Sequence, residues 1–83
     1  MDVLLLKTRT CPLCDEALAI LTSRRRPLGV DLRTEDITDR QELVAAYGRE
    51  VPVVFVAGRK RFFGHIDPVL LAREVEAART IAR

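Results

Sequence analysis

Two tetrads without a single polar residue, Val3, Leu4, Leu5, Leu6 and Val53, Val54, Phe55, Val56, set the strongest constraint on how this chain folds. A strand with one wet face alternates apolar and polar side chains, whereas a run without alternation has to be covered on both faces. Both tetrads therefore belong in the middle of a sheet with helices on either side. Val30, Leu32 and Thr34 alternate with Asp31, Arg33 and Glu35, the pattern of a half-exposed edge strand. After the second tetrad, Ala57-Gly58 supplies a turn into Arg59, Lys60, Arg61, Phe62 and Phe63, and these read as a hairpin. The basic residues suit an exposed edge, where charge discourages pairing with other chains.

Three helical segments separate these strands. Pro12 fits a first helical position, and Leu13, Ala17, Leu18, Ile20 and Leu21 recur at helical spacing until Arg24-Arg25-Arg26 meets Pro27, where the helix is expected to end. Thr38 or Asp39 is expected to cap a short second helix carrying Leu43, Val44 and Tyr47 and ending at Gly48. Asp67 followed by Pro68 starts a third, with Leu70, Leu71, Val75, Ala78 and Ile81 on its apolar side. The order is βαβαββα. A right-handed crossover makes the first two strands parallel, and the hairpin makes the fourth antiparallel to the third. The expected fold class is an α/β sandwich, a four-stranded mixed sheet with helices on both faces. The 83 residues are expected to form one domain, because chains seldom divide below roughly 250 residues.

The only cysteines, Cys11 and Cys14, lie between the first apolar strand and the helix that Pro12 begins. Cys11 falls at the N-cap and Cys14 one helical turn on, so the two sulfurs are neighbours and can bridge reversibly. The helix end favours the Cys11 thiolate, but a macrodipole worth roughly 0.3–1 kcal/mol moves a pKa by less than about one unit. The N–H groups of Leu13 and Cys14 and the nearby cations Lys7 and Arg9 are expected to supply the rest. Asp15 and Glu16 read as acids placed to suit the dipole of a first turn. A Cys-x-x-Cys at the start of a βαβ unit is the setting of a redox motif.

Taken together, these residues resemble the glutaredoxins. Cys11-Pro12-Leu13-Cys14, then Val51-Pro52 opening an apolar strand, then Phe63-Gly64 before Asp67, look like that family's active site, cis-proline loop and late glycine turn. The match is nearest to the short bacterial thioredoxin-fold proteins carrying Cys-Pro-Leu-Cys-Asp-Glu-Ala, met here by residues 11–17. The resemblance implies that Cys11 is the nucleophile and Cys14 the resolving thiol. It also implies that Pro52 is cis and that Val51 pairs with substrate backbone, with Pro12, Leu13, Gly64 and Asp67 around the substrate. Three departures point to weak selectivity for glutathione. Leu13 replaces the usual tyrosine, Gly64-His65 replaces a Gly-Gly pair, and Thr8 stands where a lysine is usual.

The function expected is thiol–disulfide exchange on protein or small-molecule disulfides, with electrons returned by glutathione or a reductase. No dissociable cofactor and no metal is needed. A metal-binding module is the rival reading, although with His65 as the only imidazole one chain cannot close a usual zinc site without a carboxylate or a second subunit. A non-catalytic interaction domain is the other. A net charge of +2 argues against a nucleic-acid partner, and apolar runs of four residues are far short of the roughly 20 that span a membrane. With cysteines in this pattern and no export signal, the expected location is the cytoplasm.

Overall fold

The computed structural model describes residues 1–81 and contains seven elements: β1 (Asp2–Lys7), α1 (Pro12–Leu28), β2 (Asp31–Asp36), α2 (Gln41–Tyr47), β3 (Val53–Val56), β4 (Arg59–Phe63) and α3 (Pro68–Ile81). The strands form one mixed sheet in the order β2-β1-β3-β4, so the two apolar tetrads occupy its centre. β1 runs parallel to β2 and antiparallel to β3, and β4 is antiparallel to β3. Side-chain alternation along β1 divides the interior in two. Val3 and Leu5 join Ala17 and Leu21 of α1, Val54, Val56 and Phe62 of the hairpin, and Leu71 and Val75 of α3. Leu6 faces the other way, with Val53 and Ile37, and Leu4, Leu43, Tyr47 and Phe55 pack against that second cluster. Helices α1 and α3 thus cover one face and α2 the other, as runs with no polar alternation require.

Four details depart from the sequence reading. The first helix does not stop before Pro27 but continues through it to Leu28, where Gly29 turns the chain in the left-handed region at φ 64°. A proline so near the end removes one helical bond. The Gly29 and Val30 N–H groups restore closure by donating to the Arg26 and Arg25 carbonyls at 3.0 and 2.9 Å. At α2 neither Thr38 nor Asp39 is the cap. Arg40 holds that position without a side-chain bond to the first turn, since the Thr38 hydroxyl and the Asp39 carboxylate are engaged by other groups. On α3 Leu71 and Val75 are buried, but Leu70 and Ile81 face outward at 47% and 71% exposure. Pro52 lies just before β3 rather than within it.

Asp67 does cap α3, its Oδ1 accepting from the Val69 N–H at 2.8 Å and the Leu70 N–H at 3.4 Å. The hairpin turns on Ala57 and Gly58, both at positive φ, as a two-residue turn between twisted strands requires.

Candidate active site

Strand register gathers the predicted site residues at one end of the sheet. Leu6 pairs with Val53 and Val53 with Phe63, while Lys7 pairs with Asp36. The loop leaving β1 toward Cys11, the Val51-Pro52 approach to β3, and the exit of β4 into Gly64 therefore lie side by side. The Gly64 N–H joins two of these segments, donating to the Pro52 carbonyl at 2.9 Å and the Glu50 carbonyl at 3.0 Å. Gly64 sits at φ 74°, a left-handed conformation that side chains of L-residues disfavour, so glycine is needed there for its backbone. The Val51–Pro52 peptide bond is cis and Pro52 is buried.

Cys11 is the N-cap of α1, with extended backbone, and is partly exposed. Cys14 is wholly buried. The two are joined in a disulfide with their Cα atoms 5.1 Å apart. The Cys14 N–H donates to Cys11 Sγ at 3.1 Å, so a main-chain donor of the first turn is aimed at the outer sulfur. Pro12 at the first helical position has no N–H to satisfy, and the Asp15 N–H closes the first turn on the Cys11 carbonyl at 3.1 Å. Leu13 stands out from this turn at 49% exposure, a rim residue rather than a core one. His65 is exposed on the Gly64 loop.

Two networks that sequence patterns did not reveal hold this end together. In the first, the Arg9 N–H donates to Thr38 Oγ1 at 3.1 Å, and the Thr38 hydroxyl donates to Asp36 Oδ1 at 2.5 Å. The same Asp36 oxygen accepts from the Thr38 N–H at 2.9 Å. These two bonds hold the Asp36 carboxyl below its ordinary value against the opposing effect of desolvation, with smaller help from Arg9 and Lys7. Arg9 extends its guanidinium to Asp39 at 2.7 Å. One of the two cations expected beside Cys11 is thus in an ion pair with the neighbouring loop, while the other, Lys7, ends β1. In the second network Lys60 bonds Glu50 at 2.5 Å, with its ammonium 4.9 Å from the Phe63 ring centroid and 5.9 Å from that of Tyr47. It ties the segment before Val51-Pro52 to β4. Only the Asp-x-Thr spacing at residues 36–38, which favours a side-chain-to-backbone turn, was a legible signal for either.

Arg59, a cation that could have served the rim, begins β4 beside the hairpin turn, some 13 Å from Phe63 by strand rise. Among the described residues no group of three or more His, Cys, Asp or Glu side chains is placed to hold a metal ion. No helix among them is long and apolar enough to cross a membrane.

Residues 2–76 match the family model described as a glutaredoxin-like domain (DUF836). No curated protein matches the sequence. Among solved structures, a structural-genomics target protein from X. campestris is similar at TM-score 0.77 and 29% identity, over 90% of this chain and 96% of that one. A mutant thioredoxin from Halobacterium salinarum aligns at TM-score 0.68 and 22% identity, covering 92% of this chain and 72% of the other. Thioredoxin O2 from Arabidopsis thaliana in its oxidized state gives TM-score 0.62 and 18% identity over the same shares. The last two establish the fold alone, a thioredoxin-like βαβαββα sandwich.

Proposed function

The chain belongs to the glutaredoxin-like domain family, and from that premise and the placement of its cysteine pair we propose that it is a thiol–disulfide oxidoreductase. One observation carries the reading: the two cysteines are joined at the head of α1, the outer sulfur partly exposed and accepting a main-chain N–H, the inner one buried. Donation to sulfur favours its anionic form, and the thiolate is the nucleophile of disulfide exchange.

In the reduced protein the Cys11 thiolate attacks one sulfur of a substrate disulfide. A Cys11–substrate bond forms, the substrate S–S bond breaks, and the first thiolate leaves to take up a proton. Cys14 then loses its proton and attacks Cys11 Sγ, expelling the second substrate thiol and closing the Cys11–Cys14 bridge. Two electrons pass from the dithiol to the substrate, which leaves as two thiols. A thiol reductant, glutathione or the dithiol of a reductase, reopens the bridge by the same exchange in reverse. Val51 and Pro52 face the approaching substrate, and Pro12, Leu13, Gly64 and Asp67 border it. On this reading the protein is a disulfide-reducing enzyme acting on protein or small-molecule disulfides, with the cytoplasm as the compartment that would keep such a dithiol reduced.

Reduction of bis(2-hydroxyethyl) disulfide with dithiothreitol as electron source tests the proposal. Turnover by the wild type and its loss in Cys11→Ser are the expected results. Equal turnover by wild type and Cys11→Ser would overturn it.

A further inference from the structure

We propose that Thr38 is a positioning residue for Cys11, holding the loop that brings this sulfur to the head of α1; the inference rests on Cys11 being the reacting thiol. Residues 8–10 carry the chain from β1 to Cys11 without regular structure, so no helix or strand ladder fixes their main-chain course. The loop that follows β2 grips the connection from almost thirty residues away, once at the end of β1 and once within the segment. The Ile37 N–H donates to the Lys7 carbonyl at 2.8 Å, and Thr38 Oγ1 accepts from the Arg9 N–H at 3.1 Å.

The direction of these bonds gives Thr38 its role. A hydroxyl has one proton, and that of Thr38 is committed to Asp36 Oδ1 at 2.5 Å. Only lone pairs remain for the Arg9 N–H, so the Asp36 carboxylate fixes Thr38 as an acceptor. The outer Arg9–Asp39 ion pair cannot replace this bond, because its side chains are 59% and 85% exposed and such pairs contribute little. Arg9 lies two residues before Cys11, whose sulfur must meet the Cys14 N–H at 3.1 Å. Releasing the Arg9 N–H loosens the segment that sets this distance. A weaker donor at the sulfur favours the thiol over the thiolate.

The test is the pH profile of iodoacetamide alkylation at Cys11 in the reduced, folded protein, followed by peptide mapping. Thr38→Val keeps the shape and removes the acceptor, Thr38→Ser keeps the hydroxyl, and Asp39→Asn removes only the outer ion pair. Thr38→Val should slow Cys11 alkylation at neutral pH by about three- to tenfold, the equivalent of one ordinary hydrogen bond, and move the profile to higher pH. Thr38→Ser and Asp39→Asn should leave it near that of the wild type. If Thr38→Val does not fold, a Thr38→Ser profile displaced as far as the one expected for valine overturns the proposal. A Thr38→Val protein that melts earlier but alkylates like the wild type also overturns it, leaving a structural role alone. A wild-type profile centred at the ordinary thiol value of about 8.5 would overturn the reading of Cys11 as the reacting thiol and this inference with it.

Discussion

At the scale of single residues the site is asymmetric. Cys11 is partly open to solvent while Cys14 is sealed under the first turn of α1, so reagents reach the two sulfurs unequally. After reduction, brief alkylation of the native protein should label Cys11 well ahead of Cys14. Peptide mapping checks this, and early labelling of Cys14 would reverse the assigned roles. Asp36 is a second residue whose environment has a measurable consequence. Its folded-state pKa lies below the ordinary 3.8, chiefly through the Thr38 hydroxyl and N–H. A group with a depressed pKa contributes stability above its unfolded value and loses it as pH falls through the folded one. The stability difference between wild type and Asp36→Asn should therefore be largest near neutrality and shrink below the ordinary carboxylate range. Thermal melts across that range would show it, and a difference independent of pH would contradict it.

Among elements, the least expected contact joins the ends of two helices. Arg79 of α3 donates from its guanidinium to the Leu28 and Gly29 carbonyls, covering acceptors that a helix leaves open at its C-terminus. A cation there also complements the helix dipole. Replacing Arg79 with alanine should lower stability by about 1.5–3 kcal/mol, the range for hydrogen bonds to charged groups, and urea unfolding would measure it. Element boundaries were the part of the fold least legible in the sequence. Pro27 reads as a helix stop because a lone helix would lose by continuing, but the chain recovers the lost bond through Gly29 and Val30. Thr38 and Asp39 read as caps because local spacing cannot reveal that Arg9 arrives from another loop and engages both. The strands were legible for the opposite reason: a tetrad of Val, Leu and Phe has no comparably stable place outside a sheet centre.

For the whole molecule, the sheet order brings the cysteine loop, the Val51-Pro52 approach and the Gly64 turn to one end, a convergence that the sequence offered only through the resemblance to glutaredoxins, because the β1–β3 pairing is not written in either tetrad. The braces around it were not legible, because they depend on register between segments far apart in sequence. Among the described residues, two of the cations at that end are held in ion pairs. Arg9 is paired with Asp39 and Lys60 with Glu50, Arg59 lies at the far end, and Leu13 presents carbon at the rim, while Lys7 at the end of β1 and the exposed Arg49 before Val51 are the cations left near it. Under the proposed function the expectation is weak selectivity for glutathione, whose carboxylates need cations or N–H donors, two of which these ion pairs already engage. Turnover of a glutathione mixed disulfide should exceed that of a matched disulfide lacking the γ-glutamyl group only modestly. A preference above about a hundredfold, roughly 2.7 kcal/mol of transition-state discrimination, would contradict this account of the rim.

The central claim, that Cys11 attacks a disulfide and Cys14 resolves the product, is tested most directly by removing the resolving thiol. Cys14→Ser leaves Cys11 as the only thiol in the chain. Exposed to bis(2-hydroxyethyl) disulfide and analysed by mass spectrometry, the reduced variant should accumulate one mixed disulfide on Cys11, released by dithiothreitol, while Cys11→Ser under the same conditions stays unmodified. Rapid adduct formation in Cys11→Ser together with an unmodified Cys14→Ser protein would contradict the claim.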